Sequence, residues 1–139
     1  MKIAFVAPWY GENIPGGAEN LCRRLAGNMT RKGRSPEVLT TTVRDLHSNW
    51  GENAYPAGLY QINGVSVRRF YARPLQAREF IRINSRLMAG MPITLEEEID
   101  YMNNAVNSDS LYAFIEQQQE DYLYFFIPYL FGTSLNGTR

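Results

Sequence analysis

One cysteine in 139 residues, no excess of either charge and no long apolar run are the first features to narrow this sequence. A lone Cys22 leaves neither a disulfide framework nor a cysteine-based zinc cluster, so it is expected to pack on the first helix. With 14 basic and 14 acidic side chains, the chain lacks the basic excess of an electrostatic nucleic-acid binder. No apolar stretch approaches the ~18 residues of a membrane span, and the opening run, broken by Pro8, is too short for a secretory signal. A cytoplasmic, reducing setting is the expectation. The dinucleotide fingerprint Gly-x-Gly-x-x-Gly is missing, as are a Gly-Lys-Ser/Thr phosphate loop and an Asp-x-Asp pair. The length suits one domain, residues 1–139, with a sizeable core.

What is present is organised around a glycine pair. Ile3 to Ala7 is a continuous apolar run of strand length, as expected for a strand covered on both faces of a parallel sheet. Leu21, Leu25 and Met29 recur at helical spacing, Arg31 and Lys32 sit where they oppose a helix dipole, and Gly33 suits a left-handed cap. The spacing predicts a helix over Gly17 to Lys32 with those three residues on its buried face. Between strand and helix lies Ile14-Pro15-Gly16-Gly17-Ala18-Glu19-Asn20-Leu21. There the missing side chains admit close approach to the backbone, and the unpaired amides of a first helical turn carry partial positive charge. The residues alone leave two readings, a phosphate cradle or a tight turn with no ligand.

Pro36 to Val43 is β-branched and predicts a second parallel strand, giving a right-handed strand–helix–strand crossover. Arg44 to Gly58 reads as a long polar loop, and Asn63-Gly64 between Tyr60–Ile62 and Val65–Phe70 is a strong hairpin signal. A second helix is expected over Gln76 to Ala89, with Phe80, Ile83 and Leu87 on one face and Arg78, Arg82 and Arg86 on another. That arginine stripe is either a solvated face or an attraction for a lipid phosphate, a peripheral membrane contact. Thr94 with Glu97 is a capping box for a third, acidic helix, whose charge would balance the arginines. Ser108 or Asp109 caps a fourth helix, and Tyr122 to Ile127 is an apolar strand stopped by Pro128. The fold class expected is therefore α/β, a Rossmann-like parallel sheet flanked by helices.

Several of these pieces together resemble a known family. Lys2-Ile3-Ala4-Phe5-Val6, Pro15-Gly16-Gly17-Ala18-Glu19, Leu25-Ala26, Arg31-Lys32-Gly33 and Glu37-Val38-Leu39-Thr40-Thr41, in that order and spacing, look like the amino-terminal domain of GT-B-fold glycosyltransferases, the large retaining family 4. The resemblance is clearest over residues 1–43, and Tyr122 to Ser134 is similar to a later strand and turn of that domain. One departure is Arg34-Ser35-Pro36, where a histidine leading into the strand is usual; Pro36 removes a ladder donor, so the strand should begin late.

The resemblance implies transfer of a sugar from a nucleotide-sugar donor to a saccharide or lipid-linked acceptor, with retention and with no metal or other cofactor. It places Gly16 and Gly17 against the donor diphosphate, where amides steady the leaving group's charge. It also makes Trp9, Tyr10, His47 and Trp50 candidates for the acceptor side, since aromatic faces suit sugar rings. A GT-B enzyme closes its cleft with a carboxyl-terminal domain holding most donor contacts, and that domain is not in these residues. The chain by itself is therefore expected to be inactive, a partial amino-terminal domain. A stand-alone nucleotide- or sugar-binding module, or an interaction domain completed by a partner, are the other readings. The apolar strand from Tyr122, with Phe125, Phe126, Ile127, Leu130 and Phe131, is expected to be an unpaired edge that favours self-association.

Overall fold

The opening apolar run forms strand β1 (Lys2–Ala7), and Pro8 ends it. The structure is a computed structural model and describes residues 1–128 and 131–139. After β1 come helix α1 (Gly17–Arg31), strand β2 (Glu37–Thr41), the hairpin β3 (Gly58–Ile62) and β4 (Val65–Phe70), and helices α2 (Ala77–Met88), α3 (Leu95–Asn104) and α4 (Asp109–Gln117). Strand β5 (Tyr122–Phe126) and the short helix α5 (Gly132–Gly137) follow. The five strands form one sheet in the order β3-β4-β2-β1-β5, parallel except for β3, which pairs antiparallel with β4. This is an α/β, Rossmann-like architecture, as the alternation of apolar strands and capped helices predicts.

Local chemistry accounts for most boundaries. β2 begins at Glu37 directly after Pro36, the late start expected where a ladder donor is missing. Asn63 at φ 50° and Gly64 at φ 78° make the two-residue turn of β3–β4, both in the left-handed region that this turn demands. The Thr94 side chain accepts from the Glu97 amide while the Glu97 carboxylate accepts from the Thr94 amide, so the capping box of α3 is complete. Ser108 caps α4 by accepting from Leu111 N–H at 3.3 Å.

The alternation of β1 divides the core. Phe5 and Ala7 pack with Cys22, Ala26, Val38, Val65 and Val67 on the α1 side, while Ala4 and Val6 pack with Leu39, Phe70, Leu111, Ile115 and Tyr122 on the α4 side. A third cluster, around Trp9, Ile14, Val43, Ala72 and Val106, lies beyond the carboxyl ends of the parallel strands. The buried face of α1 differs from the one expected. Cys22 and Ala26 are the buried residues, Met29 is half-buried, and Leu21 and Leu25 stand 51% and 39% exposed. Small side chains let the helix lie close on β1, β2 and β4, which rotates the two leucines off the contact. Burial of Cys22 pushes its thiol up to about 12, so it stays neutral and packs as a small apolar group.

Strand β5 is an edge, as expected, with Leu123 and Phe125 exposed on the α1 side. Phe126 and Ile127 are half-buried, Phe131 turns inward onto Trp9, and Leu130 lies outside the described residues. The α2 face forms as predicted, with Ile83 buried and Phe80 and Leu87 half-buried. On its arginine stripe, Arg82 pairs with Glu79 at 3.1 Å and Glu97 at 3.0 Å, and Arg86 pairs with Glu97 at 2.5 Å. One carboxylate of the acidic third helix, Glu97, is thus shared by two of the three arginines, and Glu79 of α2 adds a second for Arg82. Among the described residues no helix is long and apolar enough to cross a membrane.

The Thr94 amide first, and Arg82 next, hold the Glu97 carboxyl below its ordinary 4.5. A carboxylate with a depressed folded value contributes stability above its unfolded pKa and loses it as pH falls through the folded value. The stability advantage of the native chain over Glu97→Gln is therefore expected to be full at neutral pH and to shrink steadily below 4.5. Urea midpoints of both proteins between roughly pH 7 and pH 3 measure it; a difference independent of pH would contradict this.

Candidate functional site

The carboxyl ends of the parallel strands, where open α/β sheets bind their ligands, carry the β1–α1 loop. The strand order reverses between β1 and β5, so the switch point lies beside this loop. Gly16 is the N-cap of α1 at φ 130°, a conformation that side chains rarely adopt, and a Cβ there would collide with the Glu19 carboxylate. Gly17 differs. Its backbone is ordinary, nothing lies within 4 Å of where its Cβ would be, and the residue is exposed. The first α1 bond runs from Asn20 N–H to Gly16 O at 3.1 Å, and no side chain caps the helix. Among the described residues nothing accepts from the amides of Gly17, Ala18 and Glu19, which leaves an open helix N-terminus at the carboxyl end of the sheet.

A carboxylate of the protein already stands beside those amides. Trp9 Nε1 donates to Glu19 Oε1 at 2.7 Å, and Glu19 lies in the first turn of α1, where a negative side chain interacts favourably with the helix dipole. The Trp9 ring is 1% exposed and packs edge-on against Phe131 at 4.9 Å, with Trp50 at 5.9 Å. The crevice between Ala7, Trp9, Ala18, Glu19 and Ile127 has no room for a water molecule. Any ligand at α1 therefore meets the amides from the outer, Gly17 side.

Two arginines tie the loop down. Arg23 of α1 donates to Ile14 O at 2.7 Å and Gly11 O at 3.2 Å, and Arg69 of β4 donates to Tyr10 O at 2.8 Å. Thr41 Oγ1 adds a bond to Pro8 O at 2.6 Å. The carbonyls of Pro8, Tyr10, Gly11 and Ile14 are thus all held by side chains, the kind of anchoring that a preorganised charge-stabilising site needs. Burial lowers the Arg69 guanidinium from its ordinary value, although the nearby Tyr55 and Tyr60 oppose the shift.

The aromatic candidates are placed differently from surface platforms. Trp9 and Tyr10 are buried, and desolvation pushes the Tyr10 phenol up to about 12. Trp50 is half-buried, donates from Nε1 to Leu46 O at 3.0 Å and packs on Phe80 at 5.1 Å, so the long loop closes over Trp9. His47 is exposed, its backbone amide donating to Asp45 Oδ1 at 2.9 Å. The structure thus brings Trp9 and Trp50 together, with Trp9 bonded to Glu19 just after the glycine pair, and leaves His47 exposed. Two residues of this region escaped the sequence reading. Glu19 could not be seen as the Trp9 partner, because the pair is made by the loop's turn. Arg69 did carry a signal: it alternates with Val65 and Val67, the period that marks the buried face.

Comparison with family models, with curated proteins and with solved structures finds no match. Among the described residues there is also no cluster of three or more histidine, cysteine or acidic side chains able to hold a metal ion.

Proposed function

We propose that this chain is the amino-terminal, acceptor-side part of a GT-B-type glycosyltransferase, moving a sugar from a nucleotide-sugar donor to a saccharide or lipid-linked acceptor with retention. The observation that carries the reading is the open N-terminus of α1 at the carboxyl end of a parallel sheet, reached through a glycine pair. The resemblance of residues 1–43 to family 4 supplies the chemistry. Gly16 makes the turn, and the amides from Gly17 onward meet the donor diphosphate as it takes up the leaving group's charge. On this reading Trp9 and Trp50 shape the loop from inside, and the acceptor meets other groups.

Gly17→Ala separates the ligand from the fold. Its Cβ has open space, so unfolding free energy should stay within ~0.5 kcal/mol or rise, while affinity for a nucleoside diphosphate falls about tenfold because the ligand no longer reaches the backbone. Glu19→Gln keeps an acceptor for Trp9 and removes the like charge, so the same ligand should bind roughly two- to fivefold more tightly. Calorimetry on the two variants checks both. Unchanged affinity in Gly17→Ala would remove the diphosphate from this loop.

Self-association has one favouring observation, the edge β5. Tyr122 to Ile127 carries no charged side chain, and Phe125 is 45% exposed beside the exposed Leu123. Among the described residues no strand pairs with its outer side. We propose that a second copy pairs there, strand against strand. Light scattering across micromolar concentrations should show a dimer that Phe125→Lys abolishes, and a monomer throughout would refute it.

A further inference from the structure

The most deeply buried charge among the described residues has no counter-charge. Arg69 is 5% exposed, yet the arginines that do form ion pairs, Arg68, Arg73, Arg82 and Arg86, have side chains 30–46% exposed. Among the described residues no carboxylate lies within ion-pair distance of Arg69. Its guanidinium has five N–H donors, and two of them are used, toward Tyr10 O at 2.8 Å and Thr41 O at 3.5 Å. The Tyr55 and Tyr60 rings, at 4.2 and 5.6 Å, cover the cation but do not neutralise it. Removing a guanidinium from water without an anion is costly, and an incoming anion would be held far more strongly here than at the surface.

Arg69 faces a cavity of about 440 Å³ between the loop after β1, the loop after β2 and the β3 strand, a size within the range of small-molecule sites. Arg44, exposed, adds a second cation to the lining. Glu12 and Asp45 also line it, so the cavity is not a plain anion hole. Carboxylates accept hydrogen bonds from hydroxyls and repel a second negative charge, which selects a ligand with one acidic end and a hydroxylated body.

We propose that this cavity binds a small polyhydroxylated acid, a sugar phosphate or a sugar carboxylate, with its anionic group on Arg69 and Arg44 and its hydroxyls on Glu12 and Asp45. The proposal rests on the cavity alone and stands apart from the reading of α1. The distinct positions make the two separable, because Gly17→Ala should leave binding in this cavity unchanged.

Calorimetry on the full chain with glucose 6-phosphate, glucuronate, inorganic phosphate and glucose tests it. At least one of the two sugar acids should bind saturably, with the tighter of them naming the anionic group, and glucose and inorganic phosphate should each bind about tenfold more weakly. Arg44→Ala, at an exposed position, should weaken the sugar acid at least about threefold without moving the thermal midpoint. Arg69→Gln should weaken it at least about tenfold. If that variant fails to fold, Glu12→Gln with Arg44→Ala still decides the matter, since each contacts a different end of the ligand. Glucose or phosphate binding as tightly as the sugar acids, binding by none of them, or sugar-acid affinity indifferent to Arg44→Ala would each overturn the proposal.

Discussion

Trp9→Ala is expected to lower the unfolding free energy by ~3–5 kcal/mol, a large share of the roughly 5–15 kcal/mol that holds a domain of this size together. The ring is 1% exposed and packs against both Trp50 and Phe131 in the aromatic cluster over the carboxyl ends of the strands. Its loss empties that cluster and releases the Glu19 carboxylate, so the β1–α1 loop loosens as well as the core. Trp9→Phe separates the two effects. It keeps most of the ring and removes only the indole donor, for an expected cost of ~1 kcal/mol. Urea unfolding followed by circular dichroism measures both; Trp50 is the second of the two tryptophans, so fluorescence in either variant reports that loop alone. A Trp9→Ala cost under ~1 kcal/mol would mean that the cluster does not hold the loop.

Asn107→Leu should be nearly as damaging, at ~2–4 kcal/mol, although the new side chain is about the same size and apolar. Asn107 is buried and its carboxamide is the joint of three helices. Nδ2 donates to the carbonyls of Met102, Asn103 and Ala105 at 3.0, 3.2 and 2.8 Å, and Oδ1 accepts from Tyr112 Oη and Asn136 Nδ2 at 2.5 and 2.7 Å. Leucine removes all five bonds at once from the point where the three helices meet, and at the buried Ala105 it leaves a carbonyl without this donor. The backbone of Gly132 presses on the same carboxamide, and a Cβ there would collide with it. Gly132→Ala is therefore destabilising for the same reason. A thermal midpoint ~6–15 °C lower in Asn107→Leu is the expected reading, and a shift of less than ~2 °C would contradict the network's role.

Much of this architecture is legible in the sequence, and each legible part has a short-range cause. β1 is a run of apolar residues ended by a proline, the β3–β4 turn needs Asn63-Gly64, and the caps at Thr94 and Ser108 are made within three residues of themselves. Periodicity misleads where packing distance decides. Leu21 and Leu25 are large apolar residues of α1, yet the contact centres on the small Cys22 and Ala26, with Met29 packed at its margin. The site is harder to read for a related reason. Its parts meet through long-range contacts, Trp9 with Glu19, Arg69 with Tyr10, and Trp50 with Phe131, and no local pattern encodes such pairs. Trp9, Tyr10 and Trp50 read as sugar platforms by residue type, whereas the fold buries Trp9 and Tyr10 and half-buries Trp50 against Trp9.

The proposed diphosphate site is the set of open amides at the start of α1. An amide-resolved NMR titration with a nucleoside diphosphate, run beside the parent nucleoside, tests it most directly. Saturable shifts concentrated at Gly16, Gly17, Ala18, Glu19 and Asn20 are expected with the diphosphate, and none there with the nucleoside. Shifts elsewhere with those amides silent, or equal shifts from the nucleoside, would contradict it.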